Sequence, residues 1–212
     1  MPVLALRVPA VLVVLLASAV PTYGQGLNPA ALKARDFDKA TDGSIFVGPK
    51  GNSFRVVKTK FDRGLLIRIQ QGKREKWVRH GTFFSLARDG TVSSATDYVL
   101  GVKHGEHKSF NKRGVVKFHY HYVKGQIHGT WTQYRDDGSV VETVPYVHGR
   151  KHGKRYAYYH DKRRKQGPVN FATDFVDGKR HGESLQYDQN GKLVSRTVYD
   201  KGNKVGKTQW LR

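Results

Sequence analysis

The chain has 212 residues, room for one domain with a small appendage. Lys and Arg number 38 against 17 Asp and Glu, and the resulting formal charge of +21 favours an anionic partner over a neutral one. There is no cysteine, which excludes disulfides, thiol catalysis and a lipid-modified N-terminal cysteine.

Residues 1–24 read as a signal peptide. Residues 8–20 form an apolar run behind Arg7, too short to span a bilayer but suited to a leader core. Small residues place cleavage after Ala19 or after Gly24. Export without disulfides is ordinary for bacterial envelope proteins, so a periplasmic or secreted address is expected. Residues 25–75 read as an N-terminal cap or degenerate repeats. Asn28-Pro29 opens a short helix through about residue 39. Strands are expected at 44–47, 54–60 and 65–70, the last two joined across Asp62-Arg63-Gly64.

From residue 76 onward the chain repeats. His-Gly recurs at His80, His104, His128, His152 and His181, at intervals of 24, 24, 24 and 29 residues, and Val205-Gly206 follows 24 residues later. A glycine column (Gly101, Gly125, Gly149, Gly178, Gly202) and an aromatic column (Tyr98, Tyr122, Tyr146, Phe175, Tyr199) keep the same register. So does the large apolar column Leu86, Phe110, Tyr134, Tyr158 and Tyr187. This gives five repeats and a truncated sixth over residues 76–212.

Each copy reads as two short strands. A polar turn closed by glycine, such as Arg135-Asp136-Asp137-Gly138, joins them, with Asp89, Asp136, Asp137 and Asp188 expected to support such turns. In the second strand Phe118, Tyr120 and Tyr122 alternate with Lys117, His119 and His121, which places each set on its own sheet face. The expected fold is all-β: an elongated meander of tandem β-hairpins with an N-terminal cap. The longer interval inserts five residues between Tyr158 and Gly167, in one hairpin turn, and that turn holds Lys162, Arg163, Arg164 and Lys165.

The sequence His181-Gly182-Glu183-Ser184-Leu185-Gln186-Tyr187-Asp188-Gln189-Asn190-Gly191-Lys192-Leu193, with Tyr199 and Gly202 behind it, resembles a MORN repeat of the bacterial variant type. The resemblance runs from about Trp77 to the C-terminus. It implies an elongated twisted β-sheet with no intrinsic catalysis, and it implies contact with membranes or phospholipid and scaffolding of other proteins. Some variant-type proteins are labelled antitoxin components; the export signal departs from a cytoplasmic antitoxin but admits a role against an exported toxin.

Catalysis is not expected: there is no nucleophile elbow, no phosphate-cradling loop between strand and helix, and the acids fall in turns. No metal site and no cofactor are expected. Column histidines in neighbouring copies sit roughly 9–10 Å apart, two strand spacings, too far to share an ion. His119 and His121 share a face, but no Asp or Cys nearby in sequence completes a site. Ten histidines would add charge near pH 6, so acid is expected to strengthen binding to anions. The expected function is an exported, non-enzymatic scaffold that engages an anionic phospholipid or envelope polymer surface. The anion-binding candidates are Lys162, Arg163, Arg164 and Lys165, then Lys108, Lys112, Arg113 and Lys117. The alternative is an antitoxin- or immunity-like module for an acidic protein partner; nucleic acid is disfavoured.

Overall fold

The computed structural model describes residues 42–43, 45–47, 53–71 and 73–211; the expected leader (1–24) and helix (28–39) lie outside them. These residues form two compact units, one ending at Val102 and the other beginning at Lys103. Among the described residues every regular element is a β-strand, and no helix is long and apolar enough to cross a membrane.

The first unit holds β1 (Ile45–Val47), β2 (Ser53–Lys58), β3 (Asp62–Gln71), β4 (Arg74–Leu86) and β5 (Val92–Val99), paired antiparallel in chain order. All three strands expected ahead of the repeats are present, but one turn moves. Residues 62–64 belong to β3, and the chain reverses at residues 59–61. Thr59 is the reason: its hydroxyl accepts the Phe61 and Asp62 N–H groups at 3.2 and 3.0 Å, a side-chain turn that needs no glycine. Gly64 is free for another use, and its missing side chain makes room for the Phe83 ring, 2.2 Å from where a Cβ would stand. Val78, Phe83, Phe84, Val92, Ala95 and Tyr98 form the buried apolar set of this unit.

The second unit is a longer meander: β6 (Val102–Phe110), β7 (Val116–Val123), β8 (Gln126–Tyr134), β9 (Val140–Val147), β10 (Arg150–Lys151), β11 (Gly153–Tyr158), β12 (Val169–Val176), β13 (Lys179–Tyr187), β14 (Leu193–Asp200) and β15 (Asn203–Trp210). Both β10 and β11 pair with β9, because the strand breaks at His152. Each other strand is antiparallel to the next. No second layer covers the sheet among the described residues. Val144 is the one described side chain buried to 1 % exposure, with Phe110, Tyr158 and Ala172 close behind in this unit. Cross-strand pairs and ladder hydrogen bonds therefore supply much of the cohesion that a deep core supplies elsewhere.

Two kinds of turn alternate. The first has four residues. In Arg135–Gly138 the Gly138 N–H donates to Arg135 O at 3.0 Å and the Arg135 N–H to Ser139 O at 2.8 Å. Asp89, Asp137 and Asp188 accept backbone N–H groups in such turns, as their positions predict. Asp136 does not; it faces Lys117 at 3.1 Å and Arg113 at 3.9 Å. The insertion lengthens one turn of this kind, between β11 and β12.

The second kind has two residues, both at positive φ: Lys124-Gly125 (50° and 83°), His148-Gly149 (48° and 76°), Asp177-Gly178 (49° and 85°) and Lys201-Gly202 (46° and 98°). That backbone matches the twist of the strands it joins, and glycine enters it without strain. The turn is also clasped by the preceding repeat. The Gly125 N–H donates to Lys103 O, and that of Gly202 to Arg180 O, both at 2.8 Å. Beside this bond an imidazole Nδ1 accepts the N–H of the other turn residue: His104 from Lys124 at 3.4 Å, His181 from Lys201 at 3.5 Å. At these two copies the His and Gly columns are thus the two halves of one inter-repeat contact, whereas the His128 Nδ1 makes no such bond.

His-Gly itself fills a bulge. Between Thr173↔Ser184 and Phe175↔Arg180, one residue of β12 faces three of β13, and the same one-against-three step recurs between β7 and β8 and between β14 and β15. At Gly182 a side chain is excluded twice over: φ is +97°, and a Cβ would stand 3.2 Å from Asp174.

Candidate functional site

Residues opposite one another in a sheet share a face, so the register sorts the second unit into two surfaces. On one lie Phe118, Tyr120 and Tyr122 with Trp131, Val144 and Tyr146; Arg155, Thr173, Phe175, Ser184 and Tyr199 continue it. On the other lie His119 and His121 with Glu106 and Lys108, and further along Lys154, Asp174, Glu183 and Arg196. The alternation read in the second strand is therefore correct.

The two surfaces treat their charges differently. On the histidine surface most cations are neutralised locally. Lys108 meets Glu106 at 2.6 Å, Lys117 meets Asp136 at 3.1 Å, Lys154 meets Asp174 at 2.7 Å, and Arg196 is paired with Glu183. On the aromatic surface the residue before His-Gly, except Ile127 before His128, is a cation set over the aromatic column. Lys103 lies 4.9 Å from the Tyr122 ring, Lys151 5.4 Å from Phe175 and Arg180 5.1 Å from Tyr199. Arg79 repeats the arrangement in the first unit, 5.2 Å from Tyr98. The ring quadrupole holds each cation while leaving its donors available to an anion. Lys103 and Arg180 each give one hydrogen bond to the tyrosine hydroxyl, at 3.4 and 3.1 Å. Lys151 faces a phenylalanine, which offers no such bond.

Between β9 and β15 this surface is a groove of about 660 Å³. Lys151, Arg155 and Arg180 bring positive charge to it, Phe171, Phe175 and Trp210 bring rings, and Trp210 is 70 % exposed. Arg155 is engaged by Glu142, the one acid of the lining, at 2.7 Å through Nε. Polar side chains pair in rungs along the floor: Thr173 with Ser184 at 2.9 Å, Gln186 with Ser195 at 3.2 Å, Thr197 with Thr208 at 2.9 Å. Exposed rings, hydroxyls and cations in one open trough suit a polar chain that carries negative charge.

The basic residues singled out in the sequence lie elsewhere. Lys162, Arg163, Arg164 and Lys165 are exposed in the loop between β11 and β12. Arg163 and Arg164 stand 3.4 and 3.8 Å from Asp161, and the Lys165 carbonyl accepts the Val140 N–H at 2.7 Å, which ties the loop to β9. Lys112 and Arg113 sit in the turn between β6 and β7. Of the secondary set, Lys108, Arg113 and Lys117 spend charge on Glu106 or Asp136, and Lys112 is exposed. The structure thus brings the groove cations together and leaves the loop as a separate patch.

Burial changes the acid response expected of the histidines. It holds the His107 imidazole down at about 4, with the Lys103 and His119 charges adding to the effect, so His107 stays neutral through mildly acidic pH. His80, a member of the His-Gly column, is pushed down by burial as well. Among the described residues no column histidine joins a metal-ligating cluster.

Residues 127–148 and 180–201 match the MORN repeat variant family. Each segment starts at the residue whose carbonyl clasps a two-residue turn and stops at the first residue of that turn. No curated protein matches the chain.

Proposed function

We propose that this MORN-repeat protein is an exported, non-enzymatic binding module that holds an anionic envelope polymer in the groove between β9 and β15. The observation that supports this most is the contrast between surfaces: cations are paired off with acids on the histidine face, whereas in the groove Lys151 and Arg180 are held over rings with donors available and Arg155 alone meets an acid. A concave trough with exposed rings favours a flexible chain over a flat bilayer, since a planar surface cannot reach its floor. The loop 162–165 adds long-range attraction, an effect on association rate more than on the bound contact.

The test is partition of the purified protein between three ligands: immobilised acidic polysaccharide, vesicles of anionic phospholipid and vesicles of neutral phospholipid, at low and high salt. Retention on the polysaccharide, lost at high salt and exceeding that on either vesicle, is the expected result. Binding to anionic vesicles alone would move the site to a lipid surface. Export has its own check, the intact mass of the product made in a bacterial host. Loss of residues 1–19 or 1–24 is expected, and a full-length product would contradict it.

One observation favours the alternative of a protein partner. Val123, Val147 and Val176, each one residue before a two-residue turn, are 39–40 % exposed and recur once per repeat on the histidine face. An apolar ridge of this kind fits a protein surface, and binding to it would persist at high salt.

A further inference from the structure

The histidine face contains a constellation that the groove reading does not use. His119 and His121 are two apart on β7, and the register sets Glu106 of β6 directly opposite His121. Glu106 Oε1 lies 3.4 Å from His119 Nε2 and 3.7 Å from His121 Nε2. All three ligand atoms lie within 4.8 Å of one another. Nitrogen and oxygen ligands about 2.0–2.1 Å from a tetrahedral zinc ion are roughly 3.3–3.4 Å apart, so the two carboxylate–imidazole separations need only slight closure and the imidazoles a side-chain rotation towards each other.

A second feature is independent of that spacing. His119 Nε2 is buried and finds no hydrogen-bond partner, although it points at the carboxylate. A buried polar nitrogen left so costs free energy that a bound ion would recover. The other carboxylate oxygen, Oε2, accepts from Lys108 Nζ at 2.6 Å, which fixes the carboxylate and keeps Oε1 towards the imidazoles. The His121 side chain is 47 % exposed, which gives an ion a path in and leaves a coordination position to water.

We propose that Glu106, His119 and His121 form a site for a divalent first-row transition ion, zinc above all, bound by two imidazole nitrogens and one carboxylate oxygen. The donor set excludes calcium and magnesium, which take mainly oxygen ligands. The site faces away from the groove: His119 is opposite Thr132 and Thr132 opposite Thr143, whereas the groove residue Glu142 is the next along β9 and points the other way. The proposal therefore does not depend on the polymer reading.

The experiment is a zinc titration of the full, untagged chain against a chromogenic chelator, repeated with cobalt to read its visible bands. Wild type should bind one ion with the intense bands of a tetrahedral site. Glu106→Gln and His121→Asn should each weaken that binding by about tenfold or more, in line with the loss of one ligand contact. His121 is exposed, so its variant reports on the site with little effect on folding, and His181→Asn serves as a control that should bind as wild type does. Absence of saturable binding, or an affinity that both site variants leave unmoved, would overturn the assignment.

Discussion

Val144→Asp is expected to cost several kcal/mol and to leave the unit that begins at Lys103 unable to unfold cooperatively. Val144 is 1 % exposed and lies opposite Trp131 in the ladder between β8 and β9. A carboxylate there would lose its hydration, and Arg155, the cation that the register sets across from it, is already engaged by Glu142. Few other side chains in this unit are deeply buried, so the sheet has little reserve to absorb the loss. Val144→Ala removes only apolar volume and should cost about 2 kcal/mol, with the denaturant slope preserved. Urea unfolding followed by circular dichroism measures both. An Asp variant within 1 kcal/mol of wild type would mean that the middle of this sheet is far more open than the burial of Val144 indicates.

The second large effect concerns binding. Replacing Lys151 and Arg180 together by Gln should weaken binding of an acidic polysaccharide by about 100-fold or more, since each charge-assisted contact contributes about 1.5–3 kcal/mol. Neither side chain supports the fold through an acidic partner among the described residues, so the variant should keep wild-type stability to within about 1 kcal/mol. Replacing Lys162, Arg163, Arg164 and Lys165 by Gln removes twice as many charges, yet should weaken binding only severalfold. Arg163 is 88 % exposed at the side chain and stands beside Asp161, where water and salt screen it. The opposite ranking, with the loop dominant and the groove pair silent, would return the site to the insertion.

The comparison between these two sets of cations shows what the sequence disclosed. Repeat length, the alternation along β7 and the position of the insertion were all legible, because each is a one-dimensional pattern. The His-Gly column was legible as a pattern but not as a device: that His181 accepts the Lys201 N–H depends on a bulge that sets one repeat's imidazole beside the next repeat's turn. Charge pairing was hidden for the same reason. Lys117 read as an available cation until the register set the next turn's Asp136 beside it, whereas Lys108 pairs with Glu106, two residues away on its own strand and face. Two of the groove cations did carry a signal, since Lys151 and Arg180, like Arg79 and Lys103, directly precede His-Gly. Glu106 was missed as a companion of His119 and His121 because it comes from the neighbouring strand, thirteen residues upstream of the nearer one.

The central claim is that this surface recognises negative charge on a chain-like ligand. The most direct measurement is equilibrium titration of the protein with one polysaccharide in two forms, carboxylated and carboxyl-reduced, following Trp210 fluorescence at low and high salt. Saturable binding of the carboxylated form is expected, with a response from Trp210 and weakening by salt, and at least tenfold weaker binding of the reduced form. Equal affinity for both forms, or binding of the charged form that leaves Trp210 unperturbed, would contradict it.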